Sequence, residues 1–459
     1  MTREQVGGIG TLAARALCAV ALAGACAVAV PGTVRAASPD PATCLGVLPG
    51  ALPPTEPGPI RFGTNPRVQA GQVGPVPATA VPVDPARQLG ALATLSGGGP
   101  FVLRLNRVFW PAPAGQQELL DQDVRRYSDA GYLIELQLRY HPASPATPDP
   151  AAFAAWAAGM VHRYDRGSHL VSVQVTNEVN FSISQDSSDG AFSGAKDALI
   201  QGVEKAKQQV QSDGTPEVKV GFNWFYRTDG QTEKGFWGYL ASNGGPKFAS
   251  ALDWVGLDAY PGTFFPPAEP APNGYYGGMV NALSVLHNCF MPNGGVPGKP
   301  IYIEETGYPT DLAARTEANQ LEAVKELTAA VHDYGHLYNV TDFRWFNLRD
   351  ADSSSPNFQQ HFGLLNSDYS RKPAFCAYRQ AVTGRADCPA DALTPAAPTA
   401  SPATPPHAGG GGLPLTSGAP RFGGLALVAL GTGMALALGM RRNRRGQPQT
   451  LGQSFRSRR

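Results

Sequence analysis

Two short stretches each end an apolar run on a carboxylate. In VSVQVTNEVN (171–180), Val171, Val173 and Val175 alternate as in a β-strand, and the run then breaks into Asn177 and Glu178. In IYIEETGYPT (301–310), a second apolar strand pattern runs into Glu304 and Glu305. Charge at the tip of a buried strand is costly to maintain unless it is paired or put to use. Two such carboxylates facing each other can divide labour. One, kept protonated, donates to a departing oxygen, while the other, ionised, attacks the carbon that the oxygen leaves. Cleavage of a glycosidic bond demands that division.

The elements that would hold these residues follow from periodicity. Eight segments read as strands: 60–64, 101–105, 132–138, 171–176, 218–222, 254–259, 301–305 and 342–346. Between them lie amphipathic helical patterns, including 116–131, 151–164, 198–211 and 317–335. Strand–helix units repeating about every 40 residues predict an α/β chain folded as a (β/α)8 TIM barrel. In that fold the C-terminal ends of the strands converge on one mouth. Glu178 and Glu305 are 127 residues apart, three such units, which places them at the ends of strands four and seven.

TNEV at the end of the fourth strand and EETGYPT at the end of the seventh resemble clan A glycoside hydrolases. Together with AYP (259–261), they are most similar to 1,3-β-glucanases, although Tyr308 stands where those enzymes usually carry Trp. The resemblance implies a retaining mechanism, with Glu178 as acid/base and Glu305 as nucleophile, and a polysaccharide or oligosaccharide substrate. It further implies that Tyr260 donates to the nucleophile and that Trp345 lies under the sugar ring. Asn177 is suited to hydrogen-bond a sugar 2-hydroxyl. Arg104 or Arg107 in LRLNRVFW would keep Glu305 ionised, with Arg104 preferred as the residue within the strand. His141 closes the third strand beside the same subsite, and Trp110 and Trp224, just past strand ends, would extend an aromatic platform. Alternation along a strand sends Glu304 away from the mouth, towards a basic partner behind the wall. A transglycosidase on the same barrel, or a surface lectin that has lost its activity, would share most of these features.

Both ends of the chain read as addressing segments. Residues 1–36 combine Arg3 and Arg15, an apolar run and TVRAAS, the pattern of a secretory signal peptide. Residues 37–388 would form the barrel, and 389–420 are a Pro/Ala/Thr/Gly-rich linker. Within 421–440, Phe422–Met440 carries no charge and is long enough to cross a bilayer as a helix, and 441–459 is a basic tail expected to stay cytoplasmic. LPLTS (413–417) resembles a cell-wall sorting signal with Ser417 in place of Gly. A monomeric barrel on the outer face of a membrane is therefore expected.

Removing three arginines and one glutamate of 1–36, Arg421 and seven tail arginines turns the net charge of +1 into −9. An acidic body of that kind has no footprint for nucleic acid. Four of the six cysteines lie beyond the signal: Cys44, Cys289, Cys376 and Cys388. Two disulfides are expected, with three pairings open. Asp350 and Asp352 are too few ligands for a calcium loop, and no metal or organic cofactor is expected.

Overall fold

The computed structural model describes residues 58–66, 80–109, 115–144, 146–183, 185–227, 229–264, 274–311 and 315–389. The signal peptide, most of the linker, the apolar segment 421–440, the basic tail, Cys44 and Trp110 lie outside the described residues. No helix among the described residues is long and apolar enough to cross a membrane.

Eight parallel strands close into one barrel in chain order. They are β1 (Arg61–Thr64), β2 (Val102–Val108), β3 (Leu133–Arg139), β4 (Leu170–Val175), β5 (Lys219–Phe225), β6 (Trp254–Asp258), β7 (Ile301–Thr306) and β8 (Val340–Trp345). β1 pairs with both β2 and β8, so the sheet has no free edge. All eight segments anticipated from the sequence are strands, displaced by at most a few residues at their ends.

Nine helices of seven or more residues surround the barrel among the described residues. They are α1 (Pro85–Ser96), α2 (Gln116–Asp129), α3 (Pro150–Tyr164), α4 (Ala195–Asp213), α5 (Gly230–Tyr239), α6 (Gly245–Ala251), α7 (Gly274–Val285), α8 (Glu317–Tyr334) and α9 (Pro373–Thr383). Their starts are encoded locally. Asp84 caps α1 by accepting from the Ala86 and Arg87 amides, with Pro85 at the first helical position, and Asp149 and Pro150 repeat the device at α3. Thr316 and Asn319 form a reciprocal capping box at α8. Along α4, Leu199, Val203, Ala206 and Val210 are all buried, which is the stripe that a helix lays against a sheet.

Cys376 in α9 is bonded to Cys388, and Cys289 is disulfide-bonded as well. Asp350 is buried and paired with Lys372 at 2.7 Å. Its charge therefore serves an internal ion pair.

Two glycines make room for charge inside the barrel. A Cβ at Gly63 would lie 2.7 Å from Arg344 Cδ, and one at Gly256 would lie 2.9 Å from Glu304 Cγ. Each would collide with a side chain that the barrel axis needs.

Candidate active site

The mouth is built by the last residues of β2, β4, β5, β6 and β7. β7 is buried throughout, and past Ile303 it carries one residue more than the facing stretches of β6 and β8. Leu257 of β6 pairs with Ile303 but Asp258 pairs with Glu305, and on the other side Ile303 pairs with Phe343 but Thr306 with Trp345. The extra residue turns Glu304 and Glu305 towards the same side. Glu305 stands at the mouth, where Oε1 accepts from Arg104 Nη1 at 2.7 Å and Oε2 accepts from the Tyr260 hydroxyl at 2.7 Å.

Glu304 does not point behind the wall, as strict alternation implied. It is fully buried inside, 3.1 Å from Arg104 Nε, one layer below Glu305. The physical reason is the extra residue in β7, which suspends the two-residue period that the expectation relied on.

Opposite, β4 ends at Val175 and the chain turns sharply. Thr176 and Glu178 adopt left-handed φ values of 65° and 47°. Such backbone is unfavourable for residues with a Cβ and has to be held by its surroundings. Here the Glu178 amide donates to Asn223 Oδ1 at 2.9 Å, and the Asn177 amide donates to Asp189 Oδ2 at 2.8 Å. One carboxylate oxygen each from Glu178, Asp258 and Glu305 lie within 4.8 Å of one another.

The electrostatics separate the two glutamates. Burial, then the charge of Glu305, push the Glu178 carboxyl well above the ordinary range, and Arg139 and Arg104 offset this only in part. Glu305, by contrast, is held by a guanidinium and a phenol. Burial and the nearby carboxylates raise Tyr260 far above the usual phenol range, so it stays a neutral donor.

Beneath this pair runs a shaft of buried charge. Arg104 also reaches Glu135 at 3.6 Å, and Arg344 pairs with Glu135 at 3.2 Å and with Asp342 at 2.6 Å. Asp342 in turn meets Arg61 at 2.9 Å. Six carboxyls (Glu135, Glu178, Asp258, Glu304, Glu305 and Asp342) thus share three arginines (Arg61, Arg104 and Arg344). Burial and neighbouring acids push up Glu178, Asp258 and Glu304. Burial also disfavours the Glu135 charge, but Arg344 and Arg104 outweigh it and hold that carboxyl low.

The residues singled out in the sequence divide clearly. Glu178, Glu305, Arg104, Tyr260 and Asn177 come together. Asn177 is oriented from three sides: its Oδ1 accepts from Gln137 at 2.6 Å and Asn223 at 2.8 Å, and its Nδ2 donates to Ser187 O at 2.9 Å. Arg107 turns to the Val108 carbonyl instead, which decides between the two arginines. His141 sits beside Asp189 at 3.5 Å and packs on Phe192.

Neither Trp345 nor Trp224 faces the mouth. Trp345 is fully buried beside Tyr378 of α9, with its indole N–H donating to the Phe362 carbonyl. Arg344 takes the inward position on β8, so its neighbour must face outward. The aromatic at the mouth is Phe346, one residue on, which packs with Tyr260 and Phe362. Trp224 is likewise buried under the helices against Trp237 and Phe290, its N–H donating to Glu233 at 2.5 Å.

Asp258, Asn223 and Asp189 are site residues that the sequence reading missed. Asp258 had a usable signal: in GLDAYPG it stands two residues before Tyr260, on the same side of the strand. Three carboxylate oxygens this close also have the makings of a cation site. Both oxygens of Glu305 already accept strong hydrogen bonds, however, and burial favours protons on Glu178 and Asp258, so the set reads as a proton-sharing cluster.

No family model matches the chain. It is similar to a probable glucan endo-1,3-beta-glucosidase of Aspergillus niger, with 20% identity over 252 residues, covering 51% of this chain and 50% of that protein. The chain thus spans about half the length of the curated relative it matches. Among solved structures, it is similar to a family 39 glycoside hydrolase from Bacteroides cellulosilyticus WH2, at TM-score 0.48 and 14% identity over 71% of this chain and 64% of that one. It is also similar to CJP38, a beta-1,3-glucanase and allergen of Cryptomeria japonica pollen, at TM-score 0.46 and 13% identity over 68% and 97% of the two chains.

Proposed function

We propose that this protein is a retaining glycoside hydrolase that cleaves β-linked glycans by double displacement. The observation that carries this reading is the approach of Glu178 and Glu305 oxygens to within 4.8 Å. Retaining enzymes hold their carboxyls about 5–5.5 Å apart, whereas inverting enzymes need about 6.5–9.5 Å to admit a water.

The steps follow from the two environments. Glu178, kept protonated by burial, gives its proton to the glycosidic oxygen as the bond to the anomeric carbon breaks. Glu305, ionised between Arg104 and Tyr260, forms a bond to that carbon and becomes a glycosyl ester. Its negative charge is then gone, so the strongest repulsion opposing ionisation of Glu178 is gone too. Glu178 now takes a proton from water, the water oxygen attacks the anomeric carbon, and Glu305 leaves as carboxylate. Asn177, held in place by Gln137, Asn223 and Ser187, hydrogen-bonds the sugar 2-hydroxyl. Phe346 supplies the apolar surface beside the ring, and His141 borders the same subsite.

The substrate proposed is a β-glucan, with 1,3-linked glucan the first to test because the curated relative is named for it. The protein is proposed to act outside the cell, with 1–36 as an export signal, 389–420 as a linker and 421–440 as an anchor. The Cys376–Cys388 bond supports an oxidising compartment. The test is sugar release from 1,3-β-glucan, with the first-formed anomer followed by NMR. β-Anomer formed before mutarotation supports the proposal, and an α-anomer would overturn double displacement. Adding an acceptor oligosaccharide reports whether sugar or water resolves the intermediate.

A further inference from the structure

Asp258 is a third acid in a site whose chemistry uses two. It ends β6, is fully buried, and faces groups from every neighbouring element: Glu178 after β4, Asn223 on β5, Glu304 and Glu305 on β7, and Arg104 on β2. Its Oδ2 accepts from the Asn223 amide. Its Oδ1 is buried without a hydrogen-bond partner, and one of its oxygens lies within 4.8 Å of oxygens of both Glu178 and Glu305.

A buried oxygen with no donor aimed at it, on a carboxyl grouped with two others, is explained simply if it carries hydrogen itself. An ionised Asp258 would add a second anion beside Glu305 with Arg104 already shared among Glu305, Glu304 and Glu135. A neutral Asp258 turns the same contact into an O–H donor. Burial and the charges of Glu305 and Glu178 favour that neutral form.

We propose that Asp258 is a positioning residue whose carboxyl keeps its proton throughout turnover and hydrogen-bonds whichever of Glu178 and Glu305 is ionised. This rests on the retaining reading above. In the free enzyme the three carboxyls hold two protons, and Asp258 donates to Glu305. In the glycosyl-enzyme they hold one, Glu305 is an ester, and Asp258 donates to Glu178. Each anion thereby has a donor in the stage where it exists. Asn223 fixes the swing point, since it also holds the Glu178 amide and Asn177.

The test compares D258N, which keeps a donor and cannot ionise, with D258A, which has neither, in the full chain. D258A is expected to lower kcat about ten- to a hundredfold, the worth of one hydrogen bond to a charged group. It should also move both limbs of the pH profile upwards, because an anion that loses a donor holds its proton more tightly. D258N is expected to keep kcat within about fivefold of the parent, with both limbs in place. Equal damage in both variants, with both folded, would overturn the proposal, as would a D258A profile identical to the parent.

An infrared difference spectrum of parent minus D258N at neutral pH gives an activity-independent answer, even if D258A does not fold. A lost neutral-carboxyl band supports the proposal; a lost carboxylate band refutes it. Failure of the parent to hydrolyse any β-glycan would instead count against the retaining reading, and the infrared result would still decide the state of Asp258.

Discussion

The upper and lower halves of the barrel axis use the same residue types to opposite ends. Below, Glu135, Asp342 and Glu304 meet Arg344, Arg61 and Arg104 in fully or largely buried pairs. Above, Glu178, Asp258 and Glu305 have one guanidinium in direct contact, that of Arg104 on Glu305, while Arg139 acts on Glu178 from farther off. The lower layer has as many guanidiniums as carboxyls, and its three acids are all buried below the mouth. The upper layer has more acids than cations, so protons must make up the difference, and protons can be passed on. What separates a structural ion cluster from a reactive one here is the local ratio of carboxyl to guanidinium.

Substitutions can break that contrast. The largest effects are expected for E178Q and E305Q, each lowering sugar release about a thousandfold or more, measured as initial rates. The equivalent change one layer down, E304Q, replaces an acid whose charge burial and Glu135 disfavour, and should keep activity within about tenfold. A loss from E304Q as large as that from E305Q would erase the distinction between layers. In the parent, activity should fall at alkaline pH as Glu178, whose folded-state value is raised, finally gives up its proton.

R104M removes the one cation common to both layers. It should destabilise the fold by about 3–5 kcal/mol, because partners are left buried without their charge; denaturant titration measures this. A smaller contrast separates neighbours on β8. W345A should cost about 3–5 kcal/mol of stability and leave KM for glycan near that of the parent. F346A should raise KM with a smaller loss of stability. If the two patterns are exchanged, the assignment of the mouth aromatic is wrong.

The mildest effect concerns Glu233, buried against Trp224 and Asn180. Burial pushes its carboxyl up to about 7 from 4.5. The folded state therefore binds more protons than the unfolded one between those values. Its contribution is fully present below pH 4.5 and is lost as pH rises to about 7. E233Q should flatten that decline in melting temperature across the same window.

The barrel was legible because each strand is a short apolar run and each helix an interrupted stripe, signals that survive without knowledge of contacts. The glutamate pair was legible because a charge at the end of such a run has few structural reasons to be there. The tryptophans were not. Trp345 and Trp224 occupy strand ends, but which side they face depends on whether the neighbour, such as Arg344, is wanted inside. Asn223 and Asp189 were silent for another reason: their work is to hold backbone amides at a turn whose left-handed geometry no residue type announces. The cysteines left three pairings open, since pairing depends on where loops end in space.

The extra residue in β7 carries a consequence for redesign. Deleting one position there would return the strand to an ordinary pleat, and one of the two adjacent acids would be thrown outward. The proposed site and an inert wall would thus differ by a single codon in length, with no change in which amino acids are available.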